Sequence, residues 1–349
     1  MKLIEYVHAA QEAKASDILL SAGAPPAFRV NGSIVRAQAA DLNGPQINEL
    51  LGEVLTNKQL DEFGRGREMD FAITFSGQRM RGAAYRSDGH PALTLRLLPT
   101  EIPAAEELGL PQVLFDMIQH AHGLLLCSGA AGQGKSTTLA CLIDYLNRHE
   151  QLHIVTVEDP IEYVHKSHRS IIDQREVGKD TESFGVALRH VLRQTPDVIL
   201  IGEMRDRETF EAALTIAETG HLVLSTMHAS DTPHAIDRIV SSFPLSDREF
   251  VRSQLAMVML AIVNQKLLPD LHNGRSLACE VLVNSPAVAN MIRDGRIEQL
   301  YSALDTDRAR GSIGINQSLI ELVNGGHVHK AIARRHVNLK GSNSDKLLE

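Results

Sequence analysis

One eight-residue pattern constrains this chain more than any other stretch. It runs Gly129-Ala130-Ala131-Gly132-Gln133-Gly134-Lys135-Ser136, with Thr137 next. The apolar run 123–128 before it has the length of a buried strand, and the apolar residues after it recur at helical spacing. A glycine-rich loop between a strand and a helix start is the context in which the pattern GxxxxGK[ST] binds phosphate. The chain is therefore expected to hold a nucleotide on an α/β domain.

The groups of this loop have distinct expected tasks. Its glycines let backbone N–H groups turn inward around a β-phosphate, and the helix N-terminus adds partial positive charge. Lys135 is expected to reach the β- and γ-phosphate oxygens, and the Ser136 hydroxyl to ligate Mg²⁺. The predicted cofactors are ATP and Mg²⁺, and the predicted binding residues of the loop are Gly129, Gly132, Gln133, Gly134, Lys135, Ser136 and Thr137.

The bulk composition excludes several other classes. A length of 349 residues with 43% hydrophobic content allows two or three domains with real cores. A net charge of −8 with no Trp argues against a nucleic-acid partner. The three cysteines are isolated, so a disulfide framework is not expected. The apolar run 255–263 is too short to span a membrane, and the first residues lack a signal peptide. A cytoplasmic protein with peripheral membrane association is expected.

Patterning divides the chain into four parts. The early segments combine helical periods, alternating strands and an Asn31-Gly32 hairpin turn, which indicates a small α+β domain. Prolines 99, 103 and 111 then mark a linker. Strand-like runs alternating with helical patterns follow, which favours a mainly parallel sheet covered on both faces. The predicted parts are residues 1–98, a linker 99–111, the nucleotide domain 112–340 and a flexible tail 341–349.

Acidic residues follow the strands of this second domain. Ligands collect at the carboxyl ends of parallel strands, so residues just past each strand are the site candidates. Glu203 follows the run 198–201 and suits the Mg²⁺ side of ATP hydrolysis. Glu162 suits the orientation of the attacking water, with Glu158 and Asp159 as alternatives.

Two histidines bracket the run 222–226. Strand polarity places His228 at the nucleotide end, where an imidazole can bond the γ-phosphate and report its loss. His221 is a second candidate for nucleotide binding.

Arginines of the first domain form another candidate group. Arg79 and Arg81 share one face of a predicted strand, and Arg96 lies opposite a row of leucines. One interpretation is a solvated strand face. The other is a set of arginines offered to a nucleotide bound by a neighbouring subunit, since a guanidinium keeps its charge and fits phosphate.

With these residues in place, the chain resembles the type II/IV secretion-type hexameric ATPases, most closely the type IV pilus retraction ATPases. Segments from residue 15 to about 325 carry the resemblance. They include Ala15-Ser16-Asp17 and the stretch 93–99, which resemble a PAS-like N-terminal domain. The others resemble a Walker A motif (129–138), an Asp box (157–165), a Walker B motif (197–206) and a His box (218–238).

The resemblance implies a RecA-like ATPase domain and a role for each matching residue. Lys135 and Ser136 would bind phosphate and Mg²⁺, and Glu203 would be the Walker B glutamate. Glu162 would be the catalytic base and His228 the sensor. The neighbouring subunit would supply Arg81 and Arg96, and Arg238 would lie near the nucleotide. The implied protein is a homohexameric ATP hydrolase that drives pilus retraction and twitching-type motility, acting on an inner-membrane platform protein and other pilus machinery at the cytoplasmic face of that membrane.

One departure concerns the C-terminal retraction motif of the family. The segment 287–294 carries Ala289 where that motif has its first arginine. This departure keeps a type IVB or type II secretion ATPase as an alternative. Two further alternatives of other classes are a nucleic-acid translocase and a nucleotide-binding assembly factor with little turnover.

Overall fold

A computed structural model describes residues 2–272 and 274–348. The chain divides into two compact units. The first contains Met1–Glu101 together with Pro160–Val164, and the second contains Ile102–Asp159 and His165–Glu349. The boundary lies close to the predicted end of the first domain at residue 98, but the segment 160–164 was not expected in the first unit.

The described part of the first unit is an antiparallel sheet of six strands with helices. The strands are β1 (Ala15–Ser21), β2 (Ala27–Val30), β3 (Ser33–Arg36), β4 (Met69–Phe75), β5 (Gln78–Ser87) and β6 (His90–Leu97). The helices are α1 (Leu3–Glu12), α2 (Gly44–Val54) and α3 (Asn57–Gly64). The strand order is β3-β2-β1-β6-β5-β4, and every neighbouring pair is antiparallel. The predicted small α+β domain is confirmed.

Local sequence explains the ends of these elements. Asn31 and Gly32 both have positive φ, as a tight β2–β3 hairpin turn requires. The Asn43 side chain caps α2 by accepting from the Gln46 backbone N–H, and the Gln46 side chain accepts from the Asn43 backbone N–H. Thr56 and Gln59 repeat that capping box at α3.

The second unit contains a sheet of seven strands in its described part. The strands are β7 (Gly123–Ser128), β8 (His153–Glu158), β9 (Ile171–Glu176), β10 (Val198–Ile201), β11 (Leu222–Met227), β12 (Met259–Pro269) and β13 (Arg275–Val283). The order is β13-β12-β7-β11-β10-β8-β9, and all neighbours are parallel except the edge pair β12 and β13. The prediction of a mainly parallel sheet is confirmed, although β9 and β12 were not anticipated.

Helices cover both faces of this sheet. They are α4 (Ala105–Leu108), α5 (Gln112–Met117), α6 (Lys135–His149), α7 (Phe184–Val191), α8 (Arg207–Glu218), α9 (Thr232–Ser241), α10 (Arg248–Val258), α11 (Pro286–Arg293), α12 (Leu300–Thr306), α13 (Ile315–Asn324), α14 (Lys330–Ala333) and α15 (Ser344–Leu348). Alternate residues of β7 enter different cores: Leu124 and Leu126 face one, Leu125 and Cys127 the other. Burial on both faces explains why the central strands read as continuous apolar runs.

Two predicted segments differ in character from the expectation. Ile102, Ala105 and Leu108, from the predicted linker, pack against a core of the second unit. The predicted flexible tail contains α15, whose Leu347 is buried and whose Leu347 carbonyl accepts from Arg334. Apolar side chains that find a partner surface order both segments, which polar and proline content alone did not indicate.

Candidate nucleotide site

The phosphate loop follows β7 and ends at the first residue of α6. Gly129, Gly132 and Gly134 have φ values of 144°, 76° and 82°, in the region that favours glycine. A Cβ on Gly129 would also lie 2.8 Å from the Gln265 carbonyl oxygen. Local conformation and close packing therefore both require glycine at the start of the loop.

Lys135 is buried, and its ammonium group contacts the loop. Its Nζ donates to the carbonyl oxygens of Gly129 and Ala130, each at 2.9 Å. Ser136 is exposed in the first turn of α6. The loop thus carries a positive charge and a hydroxyl at a helix N-terminus, which is the electrostatic setting that favours phosphate.

Glu203 and His228 meet at the carboxyl edge of the sheet. His228 directly follows β11, and Glu203 lies two residues after β10, the parallel neighbour of β11. His228 Nε2 lies 3.2 Å from Glu203 Oε1, and His228 Nδ1 lies 3.1 Å from the Gly129 carbonyl oxygen. One imidazole therefore contacts both the loop and the carboxylate.

Two arginines contact Glu203 and His228 at this edge of the sheet. Arg205 Nη2 pairs with Glu203 Oε2 at 2.7 Å, and the hydrogen bond and charge of Glu203 raise the pKa of Arg205. Arg238 Nη1 on α9 donates to the His228 carbonyl oxygen at 2.8 Å. Arg238 thus contacts the residue that lies against the loop, and its place near the nucleotide stays a prediction. Sequence reasoning did not single out Arg205, although it lies within the stretch compared with the Walker B motif.

His221 lies at the other end of β11. In the parallel pair of β11 and β7, Leu222 is opposite Gly123, and the His221 carbonyl accepts from the Gly123 N–H at 3.1 Å. About six residues of strand, roughly 20 Å, separate that end from the loop. The prediction that His221 binds the nucleotide held by its own loop is therefore wrong, because an extended strand carries its two ends to opposite edges.

The three acidic candidates after β8 lie in different surroundings. Glu158 Oε1 accepts from Thr156 Oγ1 at 2.6 Å and from Gln174 Nε2 at 3.1 Å. Asp159 is near enough to Arg205 for its charge to contribute to the raised pKa of that arginine. Glu162 falls in the segment Pro160–Val164 that groups with the first unit, so its role as base stays a prediction.

The arginines of the first unit form part of a charged row across four strands. Register places Arg29 on β2 opposite Asp17 on β1, Asp17 opposite Arg96 on β6, and Arg96 opposite Arg81 on β5. Asp17 is buried and pairs with Arg96 at 2.9 Å and Arg29 at 3.2 Å. Arg79 is also buried, and its Nε donates to the Ile161 carbonyl at 3.3 Å. Arg81 and Arg96 are thus neighbours on an exposed face.

The donors near the loop fit Mg²⁺ bound together with a nucleotide. The Ser136 hydroxyl and the Glu203 carboxylate are oxygen ligands, which Mg²⁺ prefers. In the part of the chain that the structure describes, no group of three or more His, Cys, Asp or Glu side chains could hold a metal ion.

The described residues contain no helix long and apolar enough to cross a membrane.

The fold and this loop define a P-loop nucleotide-binding protein. A family model, the type II/IV secretion system protein, matches residues 91–341. The chain belongs to that family.

Individual relatives extend the match over nearly the whole chain. YggR of Escherichia coli K12, an uncharacterized protein, is 43% identical over 91% of this chain and 97% of its own length. The type IV pilus retraction ATPase PilT of Pseudomonas aeruginosa is 38% identical over 97% of this chain and 99% of its own. A crystal structure of the pilus retraction motor PilT with bound ADP superposes with a TM-score of 0.91, at 41% identity, covering 97% of both chains.

Proposed function

We propose that this chain is the subunit of a homohexameric motor that hydrolyses ATP to power type IV pilus retraction. The observation that carries the proposal is the contact of one imidazole, that of His228, with both Gly129 of the phosphate loop and Glu203. The proposal is supported by a retraction motor of known structure that matches over 97% of both chains. The motor would act on a platform protein and pilus machinery at the cytoplasmic face of the inner membrane, without nucleic acid.

The reaction is ATP + H₂O → ADP + phosphate. Lys135 and the loop N–H groups would bind the phosphates, with Gln133 and Thr137 beside them. Ser136 and Glu203 would hold Mg²⁺, which when bound neutralises charge on the phosphate oxygens. Because His228 contacts both the loop and Glu203, loss of the γ-phosphate would shift the imidazole. That shift would move the segment after β11 and Arg238, which donates to the His228 carbonyl.

The attacking water requires a base and the transition state requires extra positive charge. Glu162 would orient the water, with Glu158 and Asp159 as alternatives. Arg81 and Arg96, neighbours on one face, would reach the nucleotide of an adjacent subunit. A guanidinium supplied in this way contributes about 10³ to 10⁵ in rate, or roughly 4–7 kcal/mol. Turnover would then require assembly.

The test is ATP turnover against protein concentration, with mass measured in parallel. Turnover should rise with hexamer formation. Glu162→Gln should bind nucleotide and hardly hydrolyse it, whereas Lys135→Ala should weaken binding. Normal turnover of Glu162→Gln would move the base to Glu158 or Asp159.

Arginine variants test the contribution from the neighbour. Arg96→Ala should bind nucleotide but turn over slowly, while Arg67→Ala, an exposed arginine of the same unit, should behave as wild type. Mixing Arg96→Ala with Lys135→Ala subunits should restore part of the activity, because some sites then combine an intact loop with an intact arginine. A concentration-independent monomer rate would refute the shared site.

Ala289 supports a second candidate, a type IVB or type II secretion ATPase. The segment that should carry the retraction motif forms α11, and Ala289 packs partly buried against the core. Restored twitching in a retraction-deficient strain would support the first function. Restored export in a strain lacking its secretion ATPase would support the second, and turnover stimulated by single-stranded DNA would indicate a translocase.

A further inference from the structure

A buried amide lies between the phosphate loop and the segment after β11. Asn264 on β12 is 1% exposed. Its Nδ2 donates to Ser128 Oγ and to the Ala229 carbonyl oxygen, each at 3.0 Å. Ser128 Oγ in turn donates to the Val263 carbonyl at 3.2 Å. Both hydrogens of the Asn264 amide are therefore used, one on each segment.

The two hydrogen-bond partners of Asn264 are next in sequence to the two residues of the His228–Gly129 contact. Ser128 immediately precedes Gly129, and Ala229 immediately follows His228. The Gly129 carbonyl and His228 Nδ1 are themselves 3.1 Å apart. The amide thus braces this contact from the residues on either side of it. The backbone of Asn264 is already fixed, because it pairs with Ser128 in the parallel ladder of β12 and β7.

We propose that Asn264 is a positioning residue. It holds the segment of His228 and Ala229 at a fixed distance from the phosphate loop, so that the imidazole reaches both the loop and Glu203. The assignment rests on the proposed ATP hydrolysis. Nucleotide affinity is expected to depend on the loop N–H groups and Lys135, whereas the Asn264 amide donates to Ser128 and Ala229. Loss of the amide should therefore affect turnover much more than binding, since displacements near 1 Å at a reacting centre can cost about 10²-fold in rate.

The variant Asn264→Leu keeps approximate shape and removes both donors. We expect kcat to fall about 10- to 100-fold, while the Kd for a fluorescent ADP analogue changes by less than about threefold. Asn264→Asp, which keeps the shape and cannot donate to the Ala229 carbonyl, is a second variant should the first fail to fold.

Asn284 provides a matched control. Its Nδ2 likewise makes two hydrogen bonds, here to the backbone carbonyls of Ala256 at 3.0 Å and Met259 at 2.7 Å, at the opposite end of β12. Asn284→Leu should lower the melting temperature and leave kcat of the folded hexamer near that of wild type.

A double-mutant cycle separates positioning from general damage. His228→Ala removes the group that Asn264 positions, so adding Asn264→Leu to it should cause little further loss of kcat. Losses that multiply, wild-type kcat in both Asn264 variants, or equal losses of kcat in the Asn264 and Asn284 variants would each overturn the assignment. If the wild-type hexamer itself fails to hydrolyse ATP, the proposed function is refuted and this assignment falls with it, whereas the other outcomes refute the role of Asn264 alone.

Discussion

Gly82 of β5 lies under the ring of Phe71, its partner across the β4–β5 ladder. A Cβ built on Gly82 would be 2.2, 2.5 and 2.7 Å from three atoms of that ring. Phe71 is 9% exposed and belongs to the core of the first unit. Gly82→Ala is therefore expected to force the ring out of its place.

Two effects of opposite sign determine the size of the change. Replacing glycine by alanine in a strand gains about 0.5–1 kcal/mol from reduced freedom of the unfolded chain. Overpacking of a core costs about 1–3 kcal/mol, and here three ring atoms must move together. We expect a net loss of about 1–2 kcal/mol in the free energy of unfolding of the first unit.

Gly52 gives the matched control for this variant. It lies within α2, and nothing is within 4 Å of the position its Cβ would take. Gly52→Ala should stabilise the same unit by about 1 kcal/mol, because alanine is the better helix residue.

Hydrogen exchange of peptides covering β4 and β5, read by mass spectrometry alongside urea unfolding, reports on this unit separately. Protection should fall in Gly82→Ala and rise in Gly52→Ala. A Gly82→Ala protein as stable as wild type, with Gly52→Ala stabilised as expected, would refute the steric reasoning.

Two further predictions concern acid. Burial lowers the pKa of His165 to about 4, against a smaller opposing effect of Asp144. As pH falls below about 6.5, this histidine is protonated in the unfolded chain but not in the folded one. The free energy of unfolding therefore falls by about 2 kcal/mol between pH 7.5 and 5. In His165→Leu the free energy of unfolding, measured with urea at several pH values, should depend less on pH. An unchanged pH dependence would contradict a lowered pKa for His165. At Asp17, burial raises the pKa, but bonds from Ser16 and Arg96 and the charges of Arg96 and Arg29 outweigh it and lower the pKa overall. Its stabilisation is present above about pH 3.9 and is lost as pH falls through the lowered pKa. Asp17→Asn should therefore cost about 1–2 kcal/mol at pH 7, and the cost should decrease as pH falls below about 3.9, measured by thermal unfolding. A cost that does not change with pH would show that the charge of Asp17 is not involved.

Much of the fold was accessible from local sequence. The strand, glycine loop and helix around Lys135 are contiguous, so spacing alone predicts them. Parallel strands also share one polarity, which is why Glu203 and His228 were expected at the loop and are found there.

Strand β12 shows where local patterns fail. The apolar run 255–263 divides between the end of α10 and the start of β12 at Val258 and Met259, with no glycine or proline between them. A distant side chain helps fix that change of conformation: Asn284 donates to the carbonyls of Ala256 and Met259. The apolar periodicity within the run does not indicate this change from helix to strand.

Patterns within contiguous segments are therefore enough to predict the phosphate loop, the mainly parallel sheet and the edge at which Glu203 and His228 lie. Only the folded chain shows that the Asn264 amide bonds to both Ser128 and Ala229, and that His221 lies at the end of β11 opposite the phosphate loop. The physical reason is that motif residues are adjacent in the chain. The contacts that position them join residues 35 to 136 positions apart in the chain, and only the strand order of the folded sheet brings those together.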